Sequence, residues 1–184
     1  MKPIYKLVFA LLLGFALSLP LTRTASAASA GEIDQDASIA LERLYKSKPK
    51  AKGLADQAVA ILVFPKIVKA GLIVGGAYGE GVLRRGGKSV GYYNSVAASY
   101  GLQAGGQSFG YVMFFMNEES VNYLNSSDGW EIGAGPSVVV LEDGFGMKSS
   151  STTLSKDVYA VIFNQSGLMA GIGLEGSKIS KIKR

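Results

Sequence analysis

The apolar positions of this chain change period near residue 58, and the change divides it into a helical part and a strand part. From Glu32 to Lys46 the apolar residues Ile33, Ala37, Ala40 or Leu41, and Leu44 recur at helical spacing, with Asp34, Asp36, Glu42 and Arg43 elsewhere on the wheel. Acids fill the first turns and bases the last, as the helix dipole favours. The run Lys46-Ser47-Lys48-Pro49-Lys50-Ala51-Lys52 follows. Pro49 is expected to end the helix, leaving either a solvated basic loop or an anionic-lipid contact, with a short helical piece over Leu54 to Ala58. Next comes ILVFPKIVKAGLIVGGAYGEG, Ile61 to Gly81. Pro65, Lys66 and Lys69 interrupt its apolar character, so it is not a bilayer-spanning helix. It reads as a core strand, Ala58 to Phe64, followed by a turn that presents the two lysines.

Beyond residue 70 lie 21 of the 24 glycines, interleaved with Tyr, Phe, Val and Ile. Glycine weakens a strand unless close backbone approach or sharp curvature requires it, so this part is expected to be a barrel-like antiparallel sheet. Three hairpins can be set in register. Arg85-Gly86-Gly87-Lys88 suits a two-residue primed turn, placing Val82 opposite Gly91 and Gly81 opposite Tyr92. It also gathers Arg84, Arg85 and Lys88 at one exposed tip, either a solubilising turn or an anion site. Gly105-Gly106 suggests a second hairpin, with Leu102 opposite Phe109 and Tyr100 opposite Tyr111. Asp157 to Phe163 and Leu168 to Leu174 form a third around Asn164-Gln165-Ser166-Gly167. Tyr111 to Met116 is apolar without alternation, as in a strand buried on both faces. Asn117 is placed to cap a short helix with Val121 and Leu124 inward. Trp130 to Leu141 reads as a strand bent at Gly133, Gly135 and Pro136, closed by a turn at Glu142-Asp143-Gly144.

The first 27 residues change the charge picture. Lys2 and Lys6 form a positive start, Leu7 to Leu19 an apolar core, and Ala25-Ser26-Ala27 a small-residue cleavage site, with a cut after Ala30 as the alternative. This is expected to be a cleaved signal peptide, leaving residues 28–184 as one domain that is periplasmic or secreted. The leader holds three bases, Lys2, Lys6 and Arg23, and no acid, so 16 of the 19 bases remain against 14 acids. A net charge of +2 disfavours nucleic acid, and attraction to anionic surfaces must come from local clusters. With no cysteine, disulfides and a lipid-modified N-terminal Cys are excluded, and the core alone must hold the fold.

The absence of both His and Cys removes Ser-His triads, Cys nucleophiles and the usual zinc sites. Gly171-Ile172-Gly173-Leu174-Glu175-Gly176 fits the dinucleotide glycine pattern, but too little chain follows for the helix and acidic residue that pattern needs. The carboxylates Glu80, Glu131, Asp143 and Glu175 form no recognisable catalytic pair; Glu80 and Glu131 are expected to bond within the sheet. No cofactor is expected, and the protein reads as a non-enzyme.

FPKIVKAGLIVGGAYGEGVL, VGYYNSVAASYGLQAGGQSFGYVMFFM, WEIGAGPSVVV and DVYAVIFNQSGLMAGIGLEGSKISKI, in that order, resemble the SYLF domain, also called the Ysc84 actin-binding domain. The resemblance implies an α+β fold, a glycine-rich antiparallel sheet flanked by N-terminal amphipathic helices, and binding of phospholipids. In eukaryotic relatives an N-terminal amphipathic segment meets the membrane, so the Ile33 to Leu44 face is expected either to pack on the core or to insert shallowly. Some yeast members bind actin. That role is not carried over to a chain with a bacterial export leader and no SH3 domain. The expectation is an exported bacterial module whose Lys66, Lys69, Arg84, Arg85 and Lys88 engage the head groups of anionic phospholipids. Charge reversal at Arg84 and Arg85 should then weaken binding at little cost in stability. The alternative is an envelope scaffold with a protein partner.

Overall fold

A computed structural model describes residues 27–72, 74–100, 105–126, 128–141, 156–167, 174 and 176–184. Residues 1–26 of the expected signal peptide, the turn at 142–144 with Asp143, Glu175 and residues 168–173 of the third hairpin lie outside the described residues. The described chain is mixed α+β: helices at the N-terminus pack on a curled, glycine-rich sheet.

Helix α1 runs from Ala30 to Ser47 and begins at a capping box: Glu32 N–H donates to Ser29 Oγ, and Ser29 N–H donates back to the Glu32 carboxylate at 2.7 Å. Its buried stripe is Ile33, Ala37, Ala40 and Leu44, the helical period expected of an amphipathic segment. The chain turns at Lys48, and Pro49, whose fixed φ suits a helix start, opens α2 over Lys50–Ala55. The basic run is therefore not a solvated loop. Lys46 pairs with Glu42 one turn earlier, Lys48 Nζ donates to Ile162 O at 2.9 Å, and Lys50 and Lys52 are helical.

Among the described residues eight strands form one sheet: β1 Ala60–Gly71, β2 Val74–Arg85, β3 Lys88–Tyr100, β4 Gly105–Phe115, β5 Trp130–Glu131, β6 Val138–Leu141, β7 Val158–Gly167 and β8 Lys178–Ile182, in the order β5-β8-β3-β2-β1-β4-β7-β6. Within it β3, β2, β1 and β4 make a Greek key. Neighbours are antiparallel except β6 and β7, which run parallel.

Several expected pairings are corrected. Val68 pairs with Tyr78 in the same strand pair as Val63 with Val82, so Pro65 and Lys66 form a bulge inside one long β1, not a turn after a short strand. A bulge accommodates proline because the ladder there asks for no donor. The Arg85↔Lys88 pairing holds, but a second bulge leaves Val90 unpaired and sets Leu83 opposite Gly91 and Gly81 opposite Tyr93. β4 does not pair with β3 across Gly105-Gly106; it lies against β1, with Phe64 opposite Tyr111. Asn164 to Gly167 continue β7, where Asn164 takes φ 52° at a bulge against β4.

Trp130 to Leu141 is likewise two strands. Gly133 and Gly135, at φ 112° and 79°, turn the chain between β5 and β6, which sit at opposite edges of the sheet. The connection from Glu131 to Val138 reaches at most ~25 Å fully extended. Eight flat strands would separate the edges by ~34 Å. The sheet must therefore curl, and it forms a half-barrel.

Each face of this half-barrel has its own core. The inner face holds Leu62, Phe64, Tyr93, Tyr111, Met113 and Trp130, closed by Val121 and Leu124 of helix α3 (Glu118–Ser126). The outer face packs Val63, Val82, Val112 and Phe114 under α1 and α2. Tyr111 to Phe115 are thus buried on both sides, as their unbroken apolar run implies. Asn117 Oδ1 accepts from Ser120 N–H at 2.8 Å and caps α3 as expected.

Asp157 ties three elements together. Its carboxylate accepts from Ser137 N–H at 2.9 Å, Ser137 Oγ at 2.8 Å and Asn117 Nδ2 at 2.9 Å, joining the starts of β6, α3 and β7. The Ser137 backbone bond first, then its hydroxyl and Asn117, hold its pKa below the ordinary carboxylate value. A depressed folded-state pKa contributes stability that is present above the unfolded value, near pH 4, and is lost as pH falls through the folded value. Asp157→Asn should therefore lower the urea midpoint at pH 7 and flatten its decline below about pH 4, as paired titrations of both proteins would show.

Candidate functional site

The five expected basic residues do not form one site. Lys69 lies opposite Ala77 of β2, whereas Arg84 pairs with Ile61 seven residues further along the same strand, ~23 Å away at ~3.3 Å per residue. Lys66 and Lys69 stand at the end of the sheet formed by the β1–β2 turn. Arg84, Arg85 and Lys88 stand at the other.

At the second end the arginines face opposite ways. Arg84 Nη2 donates to Asp34 O at 2.7 Å and Ser38 Oγ at 2.9 Å, both on α1. Asp34 in turn accepts from Ser89 Oγ at 2.6 Å and the Tyr92 hydroxyl at 2.9 Å, so one polar clamp fixes α1 across β2 and β3. Arg85 instead pairs with Glu118 in the first turn of α3, beneath the inner face. Lys88 is exposed at the turn. Two of the three charges at this tip are thus committed to holding helices.

Reversing Arg84 should consequently lower stability, contrary to the expectation that it is neutral. Arg84→Glu removes charge-assisted bonds, each worth ~1.5–3 kcal/mol, and sets a carboxylate beside Asp34. A drop in melting temperature larger than that of Lys88→Glu is the expected result of thermal scans on the two variants.

The face of α1 that could meet a membrane is also occupied. Ile33 and Leu44 are 3% and 0% exposed against the outer sheet face, so the helix is packed rather than available for insertion. Among the described residues no helix is long and apolar enough to cross a bilayer.

At the first end Lys66 is exposed at the bulge, and Lys69 is half-buried on the inner face opposite Gln107. Around them the outer face presents side chains that the sequence reading assigned to the core or passed over: Val68, Leu72, Val74, Tyr78 and Val96 are all exposed. Val68, Tyr78 and Val96 are direct cross-strand partners and form a row across three strands. One signal for them was available. In VKAGLIVGGAYG the larger side chains Val68, Leu72, Val74 and Tyr78 share one alternate set, while the other set is glycine with Lys69, Ile73 and Ala77, which hints at one face of a strand. Whether that face is covered was not in the pattern.

A polar belt separates this row from the region under α1. Glu80 accepts from the Tyr78 hydroxyl at 2.6 Å and pairs with Arg184, which follows β8. Glu80 thus bonds within the sheet, as expected. Lys178 and Glu131 face each other across β8 and β5 at the margin of the row.

Comparison with known proteins bears on residues 96–184, which match the family model described as Ysc84, Las17-binding protein actin regulator. No curated protein matches the chain. The matched span begins inside β3 and ends after β8, while β1 and β2 lie before it. Those two strands nevertheless sit between β3 and β4, so the matched strands form one sheet only with them in place. From the middle of β3 through β8, the chain matches the Ysc84 (SYLF) family model.

Proposed function

We propose that this protein is an exported, non-catalytic binding module whose ligand is the anionic head-group layer of a phospholipid surface, engaged through Lys66 and Lys69. The observation that carries this reading is the charge distribution at the β1–β2 end. Residues 66–72, 74–79, 95–98 and 105–108 contain two bases and no acid. The other expected cluster, Arg84 with Arg85, is tied to Asp34, Ser38 and Glu118. The family match over residues 96–184 supports a binding role. The Las17 named in the family description is a protein partner, and it keeps a protein-interaction module as the rival reading.

Co-sedimentation of the purified protein with phosphatidylcholine vesicles, with and without phosphatidylglycerol, at low and high salt tests the proposal. Binding to the anionic vesicles alone, weakened by salt, is the expected result, because exposed electrostatics fade within ~8 Å at physiological ionic strength. Each Lys near such a surface contributes about 1 kcal/mol, so Lys66→Gln with Lys69→Gln should weaken binding by roughly 30-fold. Lys88→Gln, at the far end, should change it little. No binding to either vesicle, with a partner retained in lipid-free pulldowns, would replace this reading by the protein-interaction one.

A further inference from the structure

We infer that the outer sheet face at the β1–β2 end is a membrane-insertion surface, with Leu72 and Val74 entering the interfacial layer of an anionic bilayer and Val68, Tyr78 and Val96 resting at head-group level. This rests on the lipid-binding reading and adds to it the surface, its apolar contribution and the orientation of the bound protein.

Leu72 and Val74 are 67% and 70% exposed, and with Val68, Tyr78 and Val96 they make up five of the nine large apolar or aromatic side chains more than a third exposed among the described residues. A contiguous exposed apolar patch on a folded surface marks an interaction site. Outer-face positions of the same strands nearer the Arg85 turn, Val63 and Val82, are fully buried under α1. The helix covers one half of the face and leaves the other bare. Around the bare half lie Ala70, Gly76 and Ala98, whose small size leaves the large side chains proud of the surface.

Three features select a bilayer as the occupant. Lys66 and Lys69 beside the row are both positive, and the acid nearest it, Glu80, is neutralised by its pair with Arg184, which suits an apolar surface meeting an anionic layer. β2 is hydrogen-bonded on both sides, to β1 and to β3, and Leu72 N–H bonds Val74 O across the turn at 3.4 Å, so entry into a poorly hydrated layer strands little backbone. Tyr78 has its ring in the apolar row and its hydroxyl on Glu80, the amphipathic placement that tyrosine adopts at membrane interfaces. The Glu80–Arg184 pair then marks the water side of the surface, and α1 stays docked above it.

The cysteine-free chain permits a direct test with single-cysteine variants carrying an environment-sensitive fluorophore. Val74→Cys reports the proposed surface, Val90→Cys the opposite end and Ile39→Cys the exposed side of α1; all three positions are exposed. With phosphatidylglycerol-containing vesicles, the label at 74 should shift to the blue and be quenched by acyl-chain-brominated lipid, while those at 90 and 39 should not respond. Leu72→Ser with Val74→Ser should weaken vesicle binding about tenfold or more with an unchanged melting temperature. If the unaltered protein binds these vesicles while the label at 74 stays in water and the double serine variant binds equally well, the insertion surface is wrong and the electrostatic reading survives. If the unaltered protein ignores anionic vesicles altogether, both fall. A blue shift at 74 that grows with protein concentration in the absence of lipid would assign the face to a second copy of the chain and also overturn the inference.

Discussion

Replacing Gly81 with valine is expected to prevent folding, and even Gly81→Ala should cost about 3 kcal/mol or more. A Cβ on Gly81 would lie 2.3 Å from Val63 O and 2.7 Å from Phe64 Cδ1, both fixed within the sheet. Neither can yield, because Val63 is paired with β2 and β4 and Phe64 is buried against Tyr111 with ring centroids 4.7 Å apart. Overpacking a core by single methylenes costs ~1–3 kcal/mol where side chains can repack, and more where backbone must move. Gly81 needs to be glycine for space, since its φ is not in the left-handed region. Gly76 is the control: a Cβ there meets its nearest atom, Ala97 O, at an ordinary 3.5 Å, so Gly76→Ala should shift stability by less than about 0.5 kcal/mol. Urea unfolding of the two alanine variants separates a glycine required by close strand contact from one merely tolerated. Comparable losses at both positions would mean that the sheet's curvature rather than local contact demands these glycines.

Trp130→Ala should produce a loss of similar size, about 3–5 kcal/mol, by removing the side chain that anchors one sheet edge to the inner core. Trp130 is fully buried and packs on Phe115 and edge-on against Tyr123, with centroids 6.0 and 6.3 Å apart. Its indole N–H donates to Ala134 O at 2.7 Å, in the turn that carries the chain from β5 towards β6. The residue therefore holds a two-stranded edge pairing, helix α3 and the crossing segment at once. Trp130→Phe keeps most of the apolar contact and loses the hydrogen bond, leaving a partly buried carbonyl unpaired, which costs ~1–3 kcal/mol. Calorimetry should rank the native protein above Phe and Phe above Ala. Because a domain of this size has a total stability of only ~5–15 kcal/mol, the alanine variant is expected to be largely unfolded at growth temperature or close to it. Equal melting temperatures for Phe and Ala would assign the anchoring to the hydrogen bond instead of the ring.

Gly81 also bears on the proposed surface. Gly81 and its neighbour Gly79, where a Cβ would meet Lys66 O at 2.4 Å, press β2 against the bulge in β1 from which Lys66 projects. The bulge restarts the alternation after Pro65, so that Ile67 turns inward and Val68 outward. The placement of a base and an apolar side chain at one end of the sheet thus depends on glycine packing several residues away.

Much of the helical architecture was legible in the chain. The period of Ile33, Ala37, Ala40 and Leu44 defines α1 and its buried face, Asn117 caps α3, and the apolar run Tyr111 to Phe115 announces a strand covered on both sides. Local spacing suffices there because caps and amphipathic periods are satisfied within a few residues. The turn at Gly86-Gly87 and its first pair, Arg85 with Lys88, were legible for the same reason. Arg84 opposite Ser89 follows the same register, and the expected and observed pairings part at the next position, since an unpaired Val90 leaves no mark in an alternating apolar sequence.

Strand partners and exposure were decided by the tertiary structure. Gly105-Gly106 has the chemistry of a hairpin turn, yet β4 lies against β1, because pairing there buries Phe64, Tyr111 and Phe114 between two layers that distant segments complete. Many strands of this chain are apolar and glycine-rich enough to pair with one another, so local sequence does not rank the choices. The site follows the same logic. Arg84 and Arg85 are adjacent in sequence but point to opposite faces of a strand, and each meets a helix on its own side. Val68 and Val63 are similar residues on the same outer face of β1, and one is exposed while the other is buried. What the sequence by itself determined was which residues form helices, caps and curved strands, and that the chain lacks His and Cys chemistry. Which bases are free and which apolar face is bare was settled only when α1 docked, because a helix shorter than the face beneath it can cover one end and must leave the other open.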